Sequence, residues 1–145
     1  MLLERWKWFL ALPGGRWFFS RLLGWLVPYV GPLSARVEEL SRGHACVSMR
    51  ERLSLRNHLR SIHAVALVNL GELAANLALT TLQPKGGRFI VTGVQAEYLK
   101  KARGVVTCRV QLGAEWPHIS EGVAEITDRD GDLVCRVKVN WNLKS

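Results

Sequence analysis

The stretch Arg56-Asn57-His58-Leu59-Arg60-Ser61-Ile62-His63, and the run that follows it over 64–82, decide how this chain folds. Behind His63 almost every residue is apolar: Ala64, Val65, Ala66, Leu67, Val68, Leu70, Leu73, Ala74, Ala75, Leu77, Ala78 and Leu79. The run is too long for a strand, holds no proline and is rich in alanine and leucine, so it predicts a helix. A helix apolar on all sides has to be enclosed, by a sheet or by a membrane. Yet Glu72 stands in its middle, with Asn69 and Asn76 three residues before it and four after it, on the same face. A carboxylate in a buried helix is costly unless it is paired, hydrogen-bonded or used.

Outward from this helix the pattern changes on both sides. Upstream, within 35–55, Ala45, Val47 and Met49 alternate with Cys46, Ser48 and Arg50, as in a half-buried strand. Downstream, Pro84-Lys85-Gly86-Gly87 breaks the chain, and strands are predicted over 88–99, 105–112, 122–127 and 133–141. The last two are joined by Asp128-Arg129-Asp130-Gly131-Asp132, a hairpin turn with Asp-Gly inside it. An antiparallel sheet wrapped around one apolar helix would explain why the helix lacks a wet face. The expected class is α+β.

Residues 1–33 are rich in tryptophan, phenylalanine and leucine, but Arg5, Lys7, Arg16 and Arg21 interrupt them. The longest uncharged run, 22–35, is too short to span a bilayer and holds two prolines. No small-residue cleavage site follows a clean apolar core, so the segment does not read as a signal peptide. It predicts two short amphipathic helices broken at Pro13-Gly14-Gly15, a segment of its own before a domain over 34–145. These helices either pack on the domain or across a subunit interface, or lie on a membrane surface through tryptophan and cationic side chains.

The chain has 145 residues, enough for one domain with a real core. Lys and Arg outnumber Asp and Glu by 20 to 12, and the net charge of +8 suits an anionic partner. Nucleic acid is disfavoured, because the basic residues are spread along the chain and no recognised binding motif occurs. Three widely spaced cysteines, Cys46, Cys108 and Cys135, form no CxxC pair and fit a reducing, cytoplasmic setting. The Asp128–Asp132 turn fails as a calcium loop, with glycine at the fourth position and Val139 at the twelfth. His58 and His63, five apart, do not share a helix face, so no metal is expected. Serine-hydrolase, phosphate-loop and dinucleotide motifs are absent.

Asn57, His63 and Glu72 remain. On spacing alone, Asn57 either shapes the turn or serves chemistry. His63 is a helix cap, a satisfied core histidine or a site residue. Glu72 is held by backbone, held by a cation from another chain, or catalytic.

At these residues the sequence resembles a known superfamily. Asn57, His63 six residues on, and Glu72 nine residues later inside the long helix look like the hotdog-fold thioesterases of the PaaI-like type. A bacterial hotdog family without an established substrate is more similar still. It shares the Pro13–Trp17 stretch, Arg56-Asn57-His58, His63-Ala64, the run 69–74, and Glu97-Tyr98-Leu99-Lys100-Lys101-Ala102. The thioesterase pattern has glycine after the histidine, where this chain has Ala64 and Val65.

The resemblance implies a hotdog fold and a homodimer joined sheet edge to sheet edge, with pairing into tetramers left open. It implies an acyl-CoA thioesterase, with coenzyme A as part of the substrate and no separate cofactor. Its site would lie at the dimer interface, where the His63-Ala64 loop of one subunit meets Glu72 of the other. Glu72 would be the base or nucleophile, amides near Ala64 would polarise the carbonyl, and Asn57 and His63 would orient the reacting groups. Asn69 and Asn76 would line the substrate site, and Arg88, Lys100, Lys101 and Arg103 would hold the phosphates. The alternative on the same fold is an acyl-chain or acyl-CoA binder without turnover, associated with a membrane surface.

Overall fold

A 17-residue helix sits in the concave face of a single antiparallel sheet, and the two share one core. The structure is a computed structural model and describes residues 1–144. Two N-terminal helices, α1 (Leu2–Leu10) and α2 (Gly15–Leu26), precede a hairpin of β1 (Arg36–Ser41) and β2 (His44–Arg50). The central helix α3 (Ala64–Thr80) follows, then β3 (Arg88–Tyr98), β4 (Val105–Gln111), β5 (Glu121–Thr127) and β6 (Leu133–Lys144). The six strands lie in the order β1-β2-β4-β5-β6-β3.

The strands form where apolar and polar residues alternate. In β5, Gly122, Ala124 and Ile126 face the helix while Glu121, Val123 and Glu125 face outward. In β6 the same alternation buries Cys135, Val137, Val139 and Trp141. Opposite them α3 presents Leu67, Leu70, Leu73, Ala74, Leu77 and Ala78. Gly71 sets the spacing: a Cβ there would lie 2.6 Å from Cβ of Val137. Glycine in a helix costs about 1 kcal/mol relative to alanine. Here it permits close packing of helix on sheet.

Two points differ from the sequence reading. The stretch 35–55 holds two strands, because Gly43 (φ 68°) turns the chain between β1 and β2. The central helix is not enclosed all round: Val65 is exposed, and Asn69, Glu72, Asn76 and Thr80 form a half-buried stripe. The N-terminal break falls where expected, with Gly14 in the left-handed region (φ 73°) between α1 and α2. Trp6, Phe19 and Leu33 are buried in the same core as the sheet, with Trp6 packed edge-on against Phe19 at 5.0 Å. Burial pushes the thiols of Cys46, Cys108 and Cys135 up, that of Cys135 to about 11, and all three serve as small core side chains.

β3 is a sheet edge. It pairs with β6 on one side, and its other side meets no strand among the described residues. It carries exposed Ile90, Val94 and Tyr98 along 11 residues.

Candidate active site

The turn before α3 is held by one side chain. Asn57 Oδ1 accepts hydrogen bonds from the amide of Leu59 (2.9 Å), the amide of Ser61 (3.2 Å) and the hydroxyl of Ser61 (3.2 Å). This fastens the backbone while Arg60 takes a left-handed conformation (φ 54°) that non-glycine residues rarely adopt. Glu51, just after β2, braces the turn, accepting from the Gly104 amide at 2.6 Å and from Arg56 Nε at 2.7 Å. The bond from Gly104, with Arg56 beside it, holds the Glu51 carboxyl below the usual carboxylate range. The amide of Ile62 donates to Ala102 (2.8 Å), and that of His63 to Leu55 (2.7 Å). The turn is therefore built into the domain at several points.

His63 ends the turn and caps the helix. Its backbone is extended (φ −61°, ψ 139°), and its Nδ1 accepts from the Val65 amide at 3.1 Å. An accepting Nδ1 leaves the ring hydrogen on Nε2. The amides of Ala66 and Leu67 donate to the His63 carbonyl. Of the first four helix amides, that of Ala64 alone has no hydrogen-bond partner among the described residues. A free N–H at the positive end of a 17-residue helix is a donor for a developing oxyanion. The missing glycine does not remove this donor, because Ala64 has an ordinary helical backbone.

Glu72 lies two turns further along the same helix. It is half-buried and faces no cation among the described residues. Its Oε1 accepts from Asn76 Nδ2 at 3.4 Å, and Asn76 Oδ1 accepts from Trp141 Nε1 at 2.8 Å. The indole thus fixes the amide that holds the carboxylate. Asn69, Glu72 and Asn76 line a cavity of about 440 Å³ whose other walls are Leu23, Val27, Tyr29, Val30, Leu73, Leu77, Thr80 and Phe89. An apolar chamber with a few convergent polar groups is the usual form of a small-molecule site. Asn69 and Tyr29 also line an adjoining cavity of about 630 Å³ that reaches His63.

Residues 15–143 match the family described as a domain of unknown function, DUF4442. The chain belongs to that family. No curated protein matches the sequence. A structural-genomics protein of known crystal structure is 27% identical to this DUF4442 chain, covers 99% of it over 97% of its own length, and superposes with a TM-score of 0.83. A Pseudomonas aeruginosa protein of unknown function, described as a probable thioesterase, is 22% identical, covers 92% of this chain and 97% of its own, with a TM-score of 0.75. The phenylacetic acid degradation protein PaaI of Thermus thermophilus, solved as a mutant, is 19% identical, covers 79% and 96%, with a TM-score of 0.66. The DUF4442 chain has the hotdog fold of these proteins.

The remaining sequence-predicted residues fall into separate places. Asn57, Ala64, Lys100 and Lys101 line one cleft of about 340 Å³ with Tyr98, whose hydroxyl donates to the Ala64 carbonyl at 3.3 Å. Within that cleft Lys100 is already held by Asp128 (2.7 Å) and Asp132 (2.6 Å), which raise its pKa. Arg103 is exposed, and its Nε donates to the Arg60 carbonyl at 3.3 Å. Arg88 opens β3 while Tyr98 closes it, roughly 33 Å away along the strand. Arg88 and the Lys100–Arg103 group are thus not one cluster within a chain. Sequence reading gives no site role to Trp141, Tyr29 or Tyr98, although Tyr98 stands in the 97–102 stretch that carries the resemblance. Trp141 carried only a strand signal, and nothing local shows that its N–H meets an amide 65 residues away.

Among the described residues no group of three or more His, Cys, Asp or Glu side chains is arranged to hold a metal. No helix among them is long and apolar enough to cross a membrane.

Proposed function

We propose that this DUF4442 protein is an acyl-CoA thioesterase that works as a homodimer. The observation that carries this reading is Glu72: a half-buried carboxylate without a cation, oriented by Asn76, in a cavity with largely apolar walls. The apolar side of the cavity suits an acyl group, and the carboxylate suits a base that activates water.

The dimer is part of this proposal, and an open sheet edge supports it. Glu72 and the free Ala64 amide are eight residues apart on one helix, roughly 12 Å along its axis. In the proposed dimer a partner's α3 brings its Ala64 amide to the water and carbonyl held at this chain's Glu72. The open β3 edge, long and partly apolar, is a template for pairing with its own copy.

In such a site Glu72 takes a proton from water as its oxygen attacks the thioester carbonyl carbon. The carbonyl electrons move to oxygen, which the Ala64 amide of the second chain stabilises. Collapse breaks the carbon–sulfur bond, and the coenzyme A thiolate leaves, protonated from Glu72. Asn57 acts by holding the turn, His63 by capping the helix, and both aim the Ala64 amide. Lys101 and Arg103 are the cations free to meet the coenzyme A phosphates.

Ala64 favours a second reading. Its methyl, in place of a glycine hydrogen, narrows the approach to the amide, as suits a hotdog protein that binds an acyl chain without turnover. Free-thiol release from short, long and aromatic acyl-CoAs, with Glu72→Gln beside the wild type, separates the two. Turnover lost in the variant supports the thioesterase. Tight binding without thiol release supports the binder, and Glu72-independent turnover contradicts the mechanism.

A further inference from the structure

Helix α2 is apolar on its buried side and over most of its exposed side. Its inner stripe, Gly15, Phe19 and Leu23, packs into the core, and Ser20 Oγ accepts from the Val37 amide of β1 at 2.9 Å. Its outer face consists of two rows at i, i+4 and i+8: Trp17, Arg21 and Trp25 beside Phe18, Leu22 and Leu26. All six are exposed, Trp25 at 76%, Leu26 at 57% and Trp17 at 55%. Soluble monomers rarely leave large apolar side chains together on one face without use. Arg21 lies over the Trp17 ring at 5.9 Å, so cation and indole present themselves jointly.

The charge pattern selects the partner. From residue 5 to residue 35 the chain carries Arg5, Lys7, Arg16 and Arg21 and not one acid, while Arg36 is met by Glu38 at 3.6 Å. A second copy docked on this face by two-fold symmetry would bring Arg21 against its own copy, with no carboxylate on the face to pair it. An anionic lipid surface answers both features. Indoles and leucines enter the boundary between headgroup and acyl chain, and guanidinium groups meet phosphates. At 12 residues α2 is too short to cross a bilayer, so it would lie in the interface plane.

We propose that the outer face of α2 docks this protein on an anionic lipid surface. None of the six outer residues lines the Glu72 cavity itself, although Trp17, Arg21 and Trp25 line a cavity of about 510 Å³ that shares Leu23, Val30 and Leu73 with it. Docking there also has a functional geometry. Leu23 on the inner side of α2, and Val27, Tyr29 and Val30 just after it, form walls of that cavity. A docked molecule would hold its acyl chamber directly behind the lipid-facing helix.

The test is co-sedimentation of the full chain with vesicles of phosphatidylglycerol and phosphatidylcholine, and of phosphatidylcholine alone. Static light scattering without lipid is run beside it. Trp17→Ser with Trp25→Ser, and separately Arg21→Glu, are compared with wild type, their folds checked by circular dichroism. The expected result is binding to the anionic vesicles, at least tenfold weaker on phosphatidylcholine alone and at least tenfold weaker in each variant. Equal binding by wild type and the tryptophan variant, or none by wild type, overturns the proposal. So does a larger assembly in lipid-free solution that the tryptophan variant dissolves, which would make the face an interface between copies.

Discussion

Helices α2 and α3 have similar stocks of large apolar residues and opposite fates. α3 is buried along most of its circumference, and its few polar residues, Asn69, Glu72, Asn76 and Thr80, gather on one half-buried stripe. α2 buries one side and shows the other, and the charges among its apolar residues are arginines that reach water. Hydrophobicity alone does not tell these helices apart. The polar residue does: a lone carboxylate held by an amide marks a cavity, and arginines beside tryptophans mark an outer surface.

The sharpest way to break the comparison is at Glu72. Glu72→Gln should keep the fold and lower thioester turnover by about 10²–10⁴-fold, the usual worth of a positioned base. Ala64→Pro comes next. The Ala64 N–H has no hydrogen bond to lose, proline is favoured at the first helical position, and His63 already has the extended backbone that proline requires before it. The variant should fold and melt like wild type while turnover falls about 10²–10³-fold, the cost of one oxyanion donor. A loss of fold would show that the amide has a structural partner.

Gly71→Ala tests the packing of α3. Alanine would gain about 1 kcal/mol in helix propensity. Overpacking against Val137 costs about 1–3 kcal/mol, so a net loss of stability is expected in urea unfolding. Glu51→Gln should cost about 1 kcal/mol by weakening the bonds from Gly104 and Arg56. Because the folded Glu51 carboxyl ionises at lower pH than in the unfolded chain, its contribution is complete above the ordinary glutamate range. It is lost as pH falls through the folded pKa. The stability difference between wild type and Glu51→Gln should therefore shrink in acid. The smallest effect belongs to α2: Trp17→Ser and Trp25→Ser should change stability by no more than about 0.5 kcal/mol each. A larger loss would mean that the outer face of α2 is packed after all.

Local patterns made much of this legible in the sequence. The length and composition of 64–80, the alternation in β4 to β6 and the Pro13-Gly14-Gly15 break each depend on neighbours within a few residues. Glu72 stood out because one acid in an apolar run is a local contradiction. Asn57 and His63 could be selected but not assigned, because a turn clamp, a helix cap and a catalytic group share the same residue types. What the sequence hid is long-range. Trp141 meets Asn76, Lys100 meets Asp128 and Asp132, and Arg88 is parted from Lys101 by strand register that no local pattern encodes. Gly43 hid a hairpin, because two short strands joined by a tight turn resemble one irregular stretch.

The central claim is that one chain supplies Glu72 and its partner supplies the Ala64 amide. Mixing two inactive chains, Glu72→Ala and Ala64→Pro, after joint refolding, tests it directly. If half the dimers are hybrids and each hybrid has one intact site, free-thiol release should return to about a quarter of the wild-type rate. Recovery at that level, absent from either variant alone, is the predicted result. A mixture as inactive as its components, with hybrid dimers demonstrably formed, would contradict the account.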